Sequence, residues 1–266
     1  MPPSRSKLSI GLPGATPHEL IRQLAPRIEQ TGFGALWLND TPDGDSLGGL
    51  AVAAEVTSSL RLASGVMPVS RLSAEAILAR VASLALPFER LTLGIGSGNA
   101  RPALAAVREN LSRLREATDA RVFVGALGPR MRRLAAEEAD GVLFSWLTPA
   151  ALADAMAELR SQASTVDREP HGALYLRAII DADARTALEA EASRYQGVPS
   201  YAANFERLGI SAIDATVDGS IEGKPGLEVS LRPYRDLADE VVVRVITSDN
   251  SLEAYRRFID IAGEAA

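Results

Sequence analysis

Eight short runs of β-branched and apolar residues alternate with longer stretches of helical spacing, and this rhythm confines the chain to repeated parallel βα units. The runs are Leu8 to Leu12, Ala35 to Leu38, Leu60 to Val66, Leu91 to Ile95, Val122 to Val124, Gly141 to Phe144, Ala173 to Ile180 and Val241 to Ile246. Between the first two, Leu20, Leu24, Ala25 and Ile28 share one helical face while Arg22, Arg27 and Glu29 fall elsewhere, the pattern of an outer amphipathic helix. A doubly wound sheet alternates in the same way. The count of eight and the lack of a mid-chain linker favour an α/β fold of the (β/α)8 TIM-barrel type, a single domain over residues 1–266. An insertion region is expected at about 196–230, because Ile213 to Gly226 is polar and Gly-rich and reads as a loop.

Helix starts are marked by capping residues. Thr16-Pro17-His18-Glu19 has the order of a capping box, Asn250 and Glu253 offer a second, and Ser73 and Thr148 are single caps, the latter followed by Pro149.

With 47% hydrophobic and 23% charged residues the chain reads as soluble and globular, and no apolar run has the length of a membrane span. A net charge of -6 without a basic block argues against a nucleic-acid partner. The basic start, Met1 to Lys7, meets a strand-like segment where a signal peptide needs an apolar helix, so a cytoplasmic location is expected. There is no Cys, and the two histidines, His18 and His171, are too few for a multi-His metal centre. His18 reads as a helix-start residue and His171 as a structural residue at the far end of strand seven.

Two glycine-rich strand ends invite a ligand. Gly94-x-Gly96-x-Gly98 lets a ring or phosphate approach main chain closely, although Asn99 stands where a dinucleotide fingerprint needs its third spaced glycine; a plain turn is the alternative. A Rossmann-like enzyme would carry such a turn after its first strand, where this chain reads Gly11-Leu-Pro-Gly14. Gly125-Ala126-Leu127-Gly128-Pro129 leads into a helix with Arg130, Arg132 and Arg133, so its free N–H groups suit a phosphate, while most of the arginines read as a solvated face. Trp146, just past strand six, either covers a substrate pocket or packs under a loop; Trp37 and Tyr175 read as core.

Several segments in order resemble the bacterial luciferase-like superfamily of flavin monooxygenases and coenzyme F420-dependent oxidoreductases. They are Gly32-Phe-Gly-Ala-Leu-Trp-Leu-Asn-Asp40, Leu60-Arg-Leu-Ala-Ser-Gly-Val66, Leu91-Thr-Leu-Gly-Ile-Gly-Ser-Gly98, Val122-Phe-Val-Gly-Ala-Leu-Gly-Pro129 with Ala139-Asp-Gly141, and Ala238-Asp-Glu-Val-Val-Val243. The resemblance implies a homodimeric barrel enzyme that acts on a small-molecule substrate with coenzyme F420 or FMN, F420 being favoured. It implies that Gly65, Val66, Gly96, Ser97 and Gly98 flank the ring, that Ala126, Leu127 and Gly128, with Arg130, face the phosphate, and that Asp40 and Asn99 are the nearest polar side chains and the catalytic candidates. For Asp40 a helix cap or loop carboxylate is the alternative. Gly65-Val66 falls where family members have a non-proline cis peptide; a trans bond, or a cis bond at Met67-Pro68, is the other possibility. Thr41 stands where the deazaflavin-dependent sugar-phosphate dehydrogenases place a proton-transferring His, and Asn99 replaces an acid, so that particular activity is not expected and a non-catalytic cofactor-binding barrel is the alternative.

Overall fold

A computed structural model describes residues 7–221 and 224–263. The chain starts with β1 (Lys7–Pro13), α1 (His18–Gln30), β2 (Ala35–Asn39), α2 (Ser46–Val56), β3 (Arg61–Ser64), the two-residue β4 (Met67–Pro68) and α3 (Ala74–Ser83). It continues through β5 (Leu91–Gly96), α4 (Ala103–Ala117), β6 (Arg121–Gly125), α5 (Pro129–Glu138), β7 (Gly141–Ser145), α6 (Pro149–Ser164) and β8 (His171–Ile179). Last come α7 (Arg185–Gln196), α8 (Pro199–Leu208), β9 (Thr216–Asp218), α9 (Lys224–Arg235), β10 (Glu240–Val245) and α10 (Leu252–Gly263).

Strands β1, β2, β3, β5, β6, β7, β8 and β10 pair in parallel around a closed ring, with β10 bonded to both β8 and β1. Each of the eight apolar runs of the sequence overlaps one of these strands, and the fold is the (β/α)8 barrel. Period-2 alternation sorts the strand residues: one set meets the helices, and the other fills the barrel with Trp37, Phe123, Leu143, Tyr175 and Val242. On α1, Ile21, Leu24, Ala25 and Ile28 are buried against the sheet, as 3.6-residue spacing requires.

Below this aromatic layer, at the N-terminal ends of the strands, Glu240 is fully buried. It accepts hydrogen bonds from Ser9 Oγ at 2.6 Å and Trp37 Nε1 at 2.8 Å, and pairs with Arg61 at 3.3 Å and His171 Nε2 at 3.2 Å. Burial alone would raise its pKa; the His171 hydrogen bond, the Arg61 charge and the two neutral donors outweigh it and hold the carboxyl at about 2. His171 therefore belongs to the barrel floor, away from the catalytic rim of such folds.

Some local expectations are corrected. Residue Pro17, not Thr16, precedes the first turn of α1; no side chain caps it, and Thr16 Oγ1 is buried without a hydrogen bond among the described residues. At α10 the cap hydroxyl is Ser251, which accepts from Ala254 N at 3.2 Å. Asn250 takes a left-handed φ of 55° and instead accepts a hydrogen bond from the Tyr255 hydroxyl at 2.9 Å. Ser73 and Thr148 do cap α3 and α6. The run Leu60 to Val66 is not one strand: the ladder stops at Ser64, the Gly65–Val66 peptide is cis, and pairing resumes with β4 against β5. Within the stretch read as a loop, Thr216–Asp218 forms β9 beside β8, with only Val217 buried; three residues are too few to show alternation in sequence. No helix among the described residues is long and apolar enough to cross a membrane.

Candidate functional site

At the C-terminal rim of the barrel lies a cavity of about 520 Å³, within the range of small-molecule sites. One wall is nearly bare main chain. Val66, following the cis peptide, leans over β5 and β6, and a Cβ on Gly96 would lie 2.7 Å from its Cγ2, one on Gly125 3.0 Å from its Cγ1. Only glycine leaves room for that side chain at both strands. Gly65, Val66, Gly96, Ser97 and Gly98 all line this wall, the last with φ of 54°.

Ala126, Leu127 and Gly128 line the adjoining edge, where α5 begins with Pro129 in its first turn and no side-chain cap. The Ala126 N–H is already used, donating to Leu143 O at 3.2 Å. Those of Leu127 and Gly128 carry no hydrogen bond among the described residues. A Cβ on Gly128 would meet nothing within 4 Å. The exposed Arg207 of α8 reaches this loop, its Nη2 lying 3.4 Å from Leu127 O. An anionic group placed here would find a helix N-terminus, two free N–H donors and a nearby guanidinium. Arg130 is exposed and outside the cavity lining, as is Asn99, whose N–H donates to Ser70 Oγ at 3.1 Å. Arg133 is likewise solvated, whereas Arg132 is buried over the Phe144 ring, where desolvation and the neighbouring Arg207 lower its pKa to about 10.

Asp40 lines the cavity with Asn39 and Thr41, but both of its oxygens are engaged. Arg71 pairs with Oδ2, and Ser46 Oγ donates to Oδ1 at 3.1 Å. The cap of α2 is a different acid, Asp45, which accepts from Gly48 N at 3.0 Å.

The opposite wall carries polar and aromatic side chains that reading by motif does not reveal. Ser145, Tyr175, Arg177, Tyr195 and Tyr201 line it. The Arg177 guanidinium stacks 4.0 Å over the Trp146 ring, donates to Ser145 Oγ at 2.6 Å and pairs with Glu191 at 3.2 Å. Trp146 does not cover the cavity; it is buried beneath α7 and α8 against Tyr195 and Phe205. His18 is exposed and outside the lining.

Fold and site together define a parallel β/α barrel with a cavity at its C-terminal mouth, one wall main chain and the other aromatic and cationic. Residues 6–121 and 115–226 match the model of the luciferase-like monooxygenases, and the chain belongs to that family. Among its relatives is a 5,10-methylenetetrahydromethanopterin reductase of Methanolobus tindarius, 27% identical over 209 residues that make up 64% of each chain, so the match spans just under two thirds of that relative. The fold is shared with the coenzyme F420 dependent tetrahydromethanopterin reductase of Methanopyrus kandleri, with a TM-score of 0.77, 19% identity and 99% of both chains covered. It is shared too with the FMN complex of the oxygenating constituent of 3,6-diketocamphane monooxygenase from Pseudomonas putida, with a TM-score of 0.70, 12% identity and coverage of 97% of this chain and 98% of that one.

Proposed function

We propose that the chain is an oxidoreductase of the luciferase-like type that holds coenzyme F420 or FMN in the rim cavity and acts on a small organic substrate. The observation that carries this reading is the main-chain wall from Gly65 to Gly128: an uncharged surface, bare but for Val66 and a few small side chains, that meets an uncapped helix start. A tricyclic ring fits the Val66 side of that wall, and a ribityl phosphate fits the free N–H groups of Leu127 and Gly128 beside Arg207. When bound, either group supplies hydride chemistry, and FMN also oxygen chemistry. The chain itself orients the ring edge through Val66, holds the anionic tail at α5 and keeps Asp40 fixed between Arg71 and Ser46 at the cavity edge. F420 is favoured, on the strength of the glycine pattern and of Ala126 to Gly128.

The engagement of both Asp40 oxygens and the position of Asn99 outside the cavity favour a second reading, a barrel that binds the cofactor without turnover. Titration of the purified protein with F420 and with FMN, followed by absorption and fluorescence, tests both. Micromolar binding of one of them supports the site, and its oxidation or reduction with candidate substrates separates enzyme from carrier. Failure of both to bind overturns the proposal.

A homodimer is part of the same reading. Its support is α2, where Ala51, Val52, Ala54 and Val56 stay only half-buried on an apolar helix beside the early strands. Light scattering that returns a mass near 28.2 kDa instead of twice that value would remove this element.

A further inference from the structure

We infer that Arg177 forms a carboxylate-binding subsite, so that the substrate is a planar, conjugated or aromatic organic acid carrying a single negative charge. The inference rests on the reading of the rim cavity as a cofactor and substrate site, and names the class of molecule its second wall accepts.

Charge comes first. Arg177 and Arg244, on neighbouring strands β8 and β10 and paired in register, are both buried and converge on one carboxylate, Glu191 of α7. Burial would raise the Glu191 pKa, but the Arg244 and Arg177 charges prevail and hold it below the ordinary value, so it is ionised. Arg194 also approaches Glu191, at 3.8 Å, but is 68% exposed and solvated. Two buried guanidinium groups thus share one carboxylate, leaving one positive charge in a region shielded from water. An interior charge of that kind is normally paired. A monoanion in the cavity would pair it.

Donor geometry agrees. Arg177 is only 3% exposed, yet it belongs to the cavity lining, and it is held by stacking on Trp146 and by Ser145 and Glu191. Its Nε and Nη1 make all of these hydrogen bonds, and Nη2 has no partner among the described residues. A guanidinium fixed in this way presents a preorganised donor to a carboxylate oxygen. Two residues earlier on the same face of β8, Tyr175 lines the cavity and is just as deeply buried. Its hydroxyl lies over the bare main chain of Gly11 and makes no hydrogen bond among the described residues. Desolvation raises its pKa, so it stays a proton donor at neutral pH. Its ring lies 5.1 Å from the Arg177 guanidinium and helps to fix it.

Shape supplies the rest. Tyr195 and Tyr201, with centroids 4.8 Å apart and planes at 70°, close the same end of the cavity and offer ring faces to a flat apolar body.

The test is calorimetric titration with benzoate and its neutral isostere benzamide, with the protein alone and with F420 or FMN added. Benzoate should bind at least about tenfold more tightly than benzamide, and Arg177→Met should weaken benzoate by about tenfold. The comparison of benzoate with benzamide on the parent protein keeps the test decisive if Arg177→Met does not fold. Equal affinity for benzoate and benzamide, no benzoate binding, or a folded Arg177→Met protein with parental benzoate affinity overturns the subsite. If benzoate behaves as stated while neither cofactor binds, the cofactor reading falls and the subsite stands; if a cofactor binds and benzoate is not preferred to benzamide, the cofactor reading stands and the subsite falls.

Discussion

Val66 and Gly96 are sterically matched: the valine methyl Cγ2 occupies the position within 2.7 Å of which any Cβ at residue 96 would have to sit. The glycine pattern of β5 is therefore tied first to a protein side chain. Gly96→Ala should lower stability by about 1–3 kcal/mol through overpacking, and Val66→Ala in the same chain should return part of the loss. Urea denaturation of the two single variants and the double variant measures this. Additive losses would separate the two residues.

Gly128→Asp should leave stability within about 0.5 kcal/mol of the parent, because the added Cβ enters open space. It should weaken F420 or FMN binding by at least about tenfold, since a carboxylate would stand beside the free N–H groups intended for the phosphate. Fluorescence titration decides it, and unchanged affinity would move the phosphate elsewhere.

Glu240→Gln should cost about 3–5 kcal/mol, the usual penalty for breaking a buried ionic cluster from one side. The pH dependence follows from the same group. Its folded pKa is depressed from 4.5 to about 2, so its contribution, about 3 kcal/mol, is complete above pH 4.5 and fades as pH falls from there through about 2. Denaturant unfolding between about pH 6 and about pH 2.5 should show the parent losing stability more steeply than the Gln variant; parallel curves would contradict the assignment.

Trp146→Ala should destabilise by about 3–5 kcal/mol, because the ring is 1% exposed and joins Arg177 to the aromatic cluster under α7 and α8. Limited proteolysis should cut first between residues 185 and 208. Cleavage elsewhere would place the weak point outside this cluster.

The barrel was legible because each ring strand is a concentrated apolar run, and the main-chain wall because glycine is conspicuous at strand ends. The opposite wall was not. Tyr175 and Arg177 sit in an otherwise apolar strand, and an arginine at an inward i+2 position was the available signal that a polar function interrupts the core. Glu191 and Arg207 had no such signal, since their helices meet the mouth only through tertiary packing. Asn99 lies outside the cavity for a related reason: Gly98 turns the chain with φ of 54°, which carries the next side chain out to solvent. Caps slipped by one residue at α1 and α10, the usual resolution of propensity at helix ends.

The seam of the ring bears on biosynthesis. Ser9 meets Glu240 across 231 positions, and β1 finds its second neighbour only in β10. During translation the first strand must wait, with one edge unsatisfied, until β10 has emerged from the ribosome. Closure is then the last large step of folding, and nascent chains stalled before residue 240 should engage chaperones that shield open sheet edges.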